Sequence, residues 1–242
     1  MTAPGSRNPV AAIRDSLTAA LRARVDPLQA LLRTCSDCLD VLAVDGMSVV
    51  MTTAAGHRQT LYASDPLAAE IEALQFSLGE GPSLESVRAR GPVLVPDLAA
   101  RTAGGWPVFA GEVGALPVAA IFAFPLQSGA LVLGSMDLYR TAAGWLDTDE
   151  LAVALQVVDV ITLAVLGLGT EPGMPEHHWF ADMSHNTDVV HQATGMLVAR
   201  YQISVGAALA RLRGYAFANG RLVEAVARDV TTRQLNLEDM DT

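Results

Sequence analysis

The stretch Ala120-Ile-Phe-Ala-Phe-Pro-Leu-Gln-Ser-Gly-Ala-Leu-Val-Leu-Gly-Ser-Met-Asp-Leu-Tyr139 decides the fold. Two apolar runs rich in β-branched and aromatic residues flank Gln127-Ser-Gly-Ala130, a short hairpin-type connection. Further β-like runs lie upstream at Met47–Thr52, Gln59–Ala63 and Val93–Val95, with helical segments near 66–76 and 82–90 between them. This pattern predicts an antiparallel-rich α+β domain with helices segregated to one face.

Outward from the hairpin, Val10, Ile13, Leu17 and Leu21 recur at helical spacing and predict an amphipathic helix over about 9–24. Asp26-Pro27 caps a second helix that runs towards Leu39. On the other side, Asp147-Thr-Asp-Glu150 is a capping box that launches Leu151–Leu168, apolar almost all round. That length can span a bilayer, but Asp159 near its middle would cost roughly 2.5–3.5 kcal/mol there. Burial against the first helix or between protomers is the expectation, and no membrane partner is expected.

Gly167-Leu-Gly-Thr-Glu-Pro-Gly-Met-Pro-Glu-His-His178 clusters glycine and proline and reads as a linker. The chain therefore divides into an N-terminal helix (1–25), an α+β domain (26–168), a linker (169–184) and an all-α domain (185–242). In the last, one helix runs from about Ser184 to Tyr201 with Val190, Ala193, Leu197 and Tyr201 on one face. Ser204 caps a second with Val205, Leu209, Leu212 and Ala216 in phase, and Asn219-Gly220 ends it. A third follows from Arg221 with Leu222, Val226 and Val230. Three one-sided helices must pack on each other to bury their stripes, giving a small bundle.

Composition narrows the function. With 51% hydrophobic and 17% charged residues over 242 positions, a largely disordered chain is excluded. All 16 basic residues are arginine, so P-loop, Schiff-base and general-base lysine chemistry is absent. Two cysteines cannot staple a secreted scaffold, and the chain does not open on a charged-then-apolar leader, so a cytoplasmic protein is expected. The net charge is −10, unevenly spread. Up to Ser184 there are 10 arginines against 20 acids; from His185 to Leu235, six arginines face only Asp188, Glu224 and Asp229. A polyanion would meet the C-terminal piece, although so small an excess is also ordinary scatter.

Nothing reaches a catalytic or metal constellation, and no enzyme activity is expected. Cys35 and Cys38 form a single C-x-x-C on one helical face, with neither a second ligand pair nor a feature that lowers a thiol pKa. His177, His178, His185 and His191 cluster without an H-x-x-x-H pair, and His57 has no nameable partner. Leu78-Gly-Glu-Gly-Pro-Ser83 supplies turn geometry before a helix. On the second helix of the bundle, Arg213 and Phe217 are i, i+4 neighbours, and Phe217 lies off the apolar stripe. An arginine beside an exposed ring suits stacking on an unpaired base; the same ring can instead pack on a neighbouring element. Arg221 and Arg228, seven apart, share an exposed face suited to phosphate.

Residues from about His185 to Leu235 resemble the ANTAR domain, a three-helix RNA-binding module of bacterial antitermination regulators. The likeness rests on Val189-Val-His-Gln-Ala-Thr-Gly-Met-Leu-Val-Ala-Arg-Tyr201, on Ala208-Leu-Ala-Arg-Leu-Arg-Gly-Tyr-Ala216 and on the helix start at Leu222. Gln192, Ala193, Gly195 and Leu197 match the family's first helix, whereas Thr194 stands where a lysine is usual, and Ala225-Val226 reverses the usual order. The RNA-binding set implied is Gln192, Thr194, Arg200, Arg213, Phe217, Arg221 and Arg228. Residues from about Leu28 to Gly167 resemble a GAF domain, through Leu74-Gln75, Leu78-Gly-Glu-Gly-Pro82, Trp106-Pro107, Phe109, Phe124-Pro-Leu126 and Gly134-Ser-Met-Asp-Leu-Tyr139. The cyclic-nucleotide signature of some GAF domains begins Asn-Lys and cannot be present, and no cysteine or histidine is placed for a tetrapyrrole. No cofactor is evident and the ligand stays open.

Together the resemblances imply a signal-responsive regulator: the GAF unit senses a small molecule or other signal, and the ANTAR unit binds paired stem-loops in leader RNA. Homodimerisation through the helices at 9–24 and 151–168 is the expected coupling device. The alternatives are a regulator acting through protein or DNA with a degenerate ANTAR unit, and a GAF-fold reductase using Cys35 and Cys38.

Overall fold

The computed structural model describes residues 8–52, 58–100, 105–168 and 185–238. Its hairpin is the one expected: β4 (Ala120–Ser128) and β5 (Leu131–Arg140) pair antiparallel with Ser128 opposite Leu131, and Gly129 takes the positive φ of the turn. With β1 (Gly46–Thr52), β2 (Arg58–Ala63) and β3 (Val93–Val95) they form one sheet in the order β2-β1-β5-β4-β3, every pairing antiparallel.

Helices cover both faces of this sheet, which corrects the expectation that they keep to one. Because β4 is apolar at successive positions, neither face of it can be left wet. Phe122, Phe124 and Leu126, with Met136 and Leu138, enter a core shared with α1 (Pro9–Arg22), α2 (Pro27–Leu39) and α6 (Thr148–Leu168). Ile121, Ala123 and Tyr139 enter a second core with α3 (Pro66–Leu78) and α5 (Pro107–Val113). The helix α4 (Pro82–Ala89) lies against β3, β4 and β5. Periodicity gave no warning of α5, whose seven residues are too few to show a phase. Its first amides, Val108 and Phe109, instead donate to the Glu80 carboxylate, 3.2 Å away in each case.

Val10 and Leu17 of α1 are buried against the chain's own α2 and α6. The capping box of α6 is literal: Asp149 and Glu150 amides donate to Asp147, and the Asp147 amide donates to Glu150. Among the described residues α6 is the one helix long and apolar enough to cross a membrane, and half of its apolar window is buried in this fold.

The C-terminal bundle consists of α7 (His185–Tyr201), α8 (Val205–Ala218) and α9 (Val223–Thr231). Its core takes Val190, Ala193 and Leu197 from α7, Ala208, Leu212 and Ala216 from α8, and Val223, Val226, Ala227 and Val230 from α9. Two stripe residues are corrected: Val205 and Leu222 are exposed. Leu222 sits at the cap of α9, outside the helical phase, and Val205 is in the first turn of α8 with Ala208 taking the inward position. Leu235 and Leu237 of the tail pack on the bundle, and the Tyr201 hydroxyl donates to the Leu237 carbonyl at 2.6 Å. The linker at 169–184, His57, His177, His178 and the side chain of His185 lie outside the described residues.

Candidate nucleic-acid interface

The ring of Phe217 is 58% exposed on α8, off the stripe that closes the core. Such a ring presents a flat apolar face to water, on which a base or another ring can stack. Arg221 lies one turn further along the chain, exposed and paired with Asp229 at 2.7 Å. Gln192 and Arg228 are also exposed, and Arg200 pairs with Glu238 of the tail at 3.0 Å. Solvated pairs of this kind are worth about 0–1 kcal/mol, so a phosphate oxygen can replace either carboxylate at little cost.

Two members of the expected set are not on that surface. Thr194 is buried, and its hydroxyl donates to the Val190 carbonyl at 2.6 Å. It falls four residues after Val190 and three before Leu197, on the inward stripe of α7, so it cannot touch RNA while the bundle is closed. Arg213 lies against the α+β domain. Its guanidinium lies 5.3 Å from the centre of the Phe76 ring, at the end of α3. One of its terminal nitrogens is 3.2 Å from where a Cβ on Gly79 would stand. Burial, then the nearby Arg58 charge, lowers the Arg213 pKa from its ordinary value.

The contact of the bundle with α3 was not legible in the sequence. Phe76 belongs to the hydrophobic cluster of the bundle, not to that of its own domain. The Val223 amide, the first of α9, donates to Ser77 Oγ at 3.1 Å, and Ser77 Oγ donates to Glu224 at 3.3 Å. Helix α9 has no side-chain cap of its own, so Ser77 satisfies one of its free amides from the other domain. Burial raises the Glu224 carboxyl pKa, offset by its own amide, the Ser77 hydroxyl and Arg213.

The inner side of α3 carries a second unheralded feature. Glu72 and Gln75 project into a buried polar cluster with Ser48, Arg58, Ser83, Ser135 and Asp137. Gln75 donates to both Glu72 and Asp137 at 2.9 Å and accepts from the Ser83 amide at 2.8 Å. Arg58 donates to Ser83 and pairs with Glu72 at 3.6 Å. The one available signal was Asp137, a carboxylate in the middle of an apolar strand. Beside this cluster, Ser48, Ala68, Ile71, Ile121, Asp137, Leu138 and Tyr139 line a cavity of about 10 Å³, room for one water. A tetrapyrrole does not fit there. Cys35 and Cys38 are buried in the core on the opposite face of the sheet. Burial pushes both thiols up, with the Cys38 thiol adding to it at Cys35 and the Asp37 charge adding to it at Cys38, which rises to about 12. Among the described residues no group of three His, Cys, Asp or Glu side chains could hold a metal ion.

Comparison with known proteins separates the two halves. The ANTAR domain family model matches residues 184–230. The N-terminal region is similar to the phycocyanobilin-bound GAF domain of a cyanobacterial phytochrome, at 16% identity and a TM-score of 0.50 over 70% of this chain and 100% of that one. It is also similar to the GAF domain of a phosphoenolpyruvate-protein phosphotransferase from Coxiella burnetii, at 12% identity and a TM-score of 0.50 over 69% and 98%. At those identities the likeness establishes the fold. No curated protein matches the chain.

Proposed function

Since the chain joins a GAF-fold domain to an ANTAR domain, we propose that it is a signal-responsive, non-catalytic regulator whose bundle binds paired RNA stem-loops and prevents terminator formation. The observation that carries this reading is the exposed Phe217 ring, flanked by the displaceable Arg221 pair on the domain matched to the ANTAR family. Unpaired loop bases offer faces for the ring, and the stem offers phosphates for Arg200, Arg221 and Arg228. A small-molecule signal is read by the GAF-fold domain in the cytoplasm, and two copies of the chain present two bundles, so that avidity replaces single-site strength.

The test is binding of the full chain to tandem stem-loop RNA across a salt series. Phe217→Ala is expected to lose about 1–3 kcal/mol of affinity with the salt slope unchanged. Arg228→Ala is expected to reduce the slope by about one. Affinity indifferent to both substitutions refutes this face.

A second reading, a regulator that works through protein or duplex DNA, is favoured by Thr194, which buries a short hydroxyl where the family carries lysine. Duplex DNA in the same titration decides between them. Cysteine-dependent reduction has against it that both thiols are sealed in the core and protonated at neutral pH.

A further inference from the structure

The end of α3 faces two ways, and this gives it a role that neither domain has alone. Helices on a domain surface normally leave one face wet. From Ile71 to Glu80, however, no residue is exposed. On the inside, Glu72 and Gln75 belong to the buried polar cluster beneath the sheet-facing side of the helix. Leu74 and Leu78 pack into the second sensor core. On the outside, Phe76, Ser77 and Gly79 receive the bundle.

The outer contact is specific in its chemistry. The Ser77 hydroxyl accepts the first amide of α9 and donates to Glu224, using both its capacities on adjacent residues of one helix turn. The Arg213 guanidinium lies on the Phe76 ring and over the Cα of Gly79, whose positive φ and missing side chain leave room for it. Arg213 is the member of the candidate RNA-binding set that this contact partly covers, while Phe217 on the next turn of α8 stays exposed.

We propose that this contact is an autoinhibitory clamp: the last turn of α3 holds the bundle with Arg213 sequestered, and the signal acts by shifting Gln75 and the end of α3 so that Ser77 releases α9. The inference rests on the RNA-binding reading above. Inner and outer faces of α3 are joined by consecutive residues, Gln75, Phe76 and Ser77, so a change in the polar cluster cannot leave the clamp untouched. RNA then binds the released state, and the clamp lowers apparent affinity by the fraction of molecules that are open.

The full chain carrying Ser77→Ala, and separately a Ser77→Cys/Glu224→Cys pair, tests this with a pool of tandem stem-loop RNAs with randomised loops. Ser77→Ala is expected to bind the pool about tenfold more tightly than the parent chain, as for a clamp that is about nine-tenths closed. Hydrogen exchange at the Val223 amide is expected to rise in the same variant without RNA. The double-cysteine chain, when oxidised, is expected to bind at least as weakly as the parent, and to gain the same factor when dithiothreitol reopens it. This second arm compares one folded protein with itself and survives any loss of stability in Ser77→Ala. Parent binding that is unchanged by Ser77→Ala and by the reduction step overturns the clamp and leaves the RNA reading intact. Absence of binding by every form, the reduced pair included, overturns the RNA reading and the clamp with it.

Discussion

Glu72 and Asp137 share a single guanidinium, that of Arg58, in a region closed to water. Burial first, and then the Asp137 charge, pushes the Glu72 carboxyl well above its ordinary value, with Arg58 opposing. Burial also raises Asp137, against the bonds from Glu72 and Gln75. A carboxyl whose pKa is higher in the folded than in the unfolded chain binds more protons when folded, so stability falls as pH rises. Its contribution is complete below the unfolded value of about 4 and is lost as pH climbs through the folded value. Asp45, held below its ordinary value by the Thr141 amide and hydroxyl, acts in the opposite sense, but at lower pH. The melting temperature is therefore expected to decline as pH rises above the ordinary carboxylate range of about 4. Glu72→Gln keeps an acceptor for Ser48 and Gln75 while leaving Asp137 alone with Arg58, and should flatten that decline. A slope unchanged by Glu72→Gln would place the extra proton elsewhere.

Among the elements, α6 repays attention because its two sides differ. Ala154, Val157, Val160 and Ile161 are buried beneath α1, α2 and the sheet. Leu155, 45% exposed, and Leu163 form an outer stripe with Asp159, which pairs with Arg14 of α1 at 4.0 Å. That stripe is exposed whereas Val10 and Leu17 of α1 are buried, so the dimer proposed above would pair through α6. Leu155→Glu/Leu163→Glu is expected to give a monomer by light scattering with the fold intact, whereas a dimer that persists would move the interface off α6. At the start of the same helix, Asp147→Ala removes the carboxylate oxygen that accepts from two amides and should cost about 1 kcal/mol in urea denaturation.

At the scale of the molecule, a body carrying 20 acids against 10 arginines up to Ser184 sits beside a bundle with a slight basic excess. Within a Debye length of about 10 Å at 0.1 M salt, the body repels a phosphate backbone that approaches the bundle. Docking the bundle on α3 brings these fields together and also partly covers Arg213, so charge and geometry would both oppose the proposed RNA in the same arrangement. Arg213→Ala removes an RNA contact and also loosens the contact with Phe76, so it is expected to weaken hairpin affinity less in the full chain than in the Ser77→Ala background. Equal losses in both backgrounds, measured by anisotropy titration, would mean that Arg213 contributes nothing to holding the bundle on α3.

The strands, the capped helices and the three-helix bundle were legible because each rests on local chemistry: the apolar β-like runs on either side of Gln127–Ala130, the Asp147–Glu150 box, the Val190–Leu197 stripe. So was the exposure of Phe217, since helical phase alone turns it away from Leu212 and Ala216. What the chain could not announce depends on partners far apart in sequence. Glu80 capping α5, Asp137 sharing a proton balance with Glu72, and Ser77 capping α9 across 146 positions are each ordinary polar residues until the fold brings their acceptors and donors together. Sequence by itself determined which segments must bury a face and which family the C-terminal bundle matches. Only the tertiary structure decided what lies on each face, and therefore that Arg213 rests on α3, because hydrogen bonds and burial between distant segments leave no period in the chain.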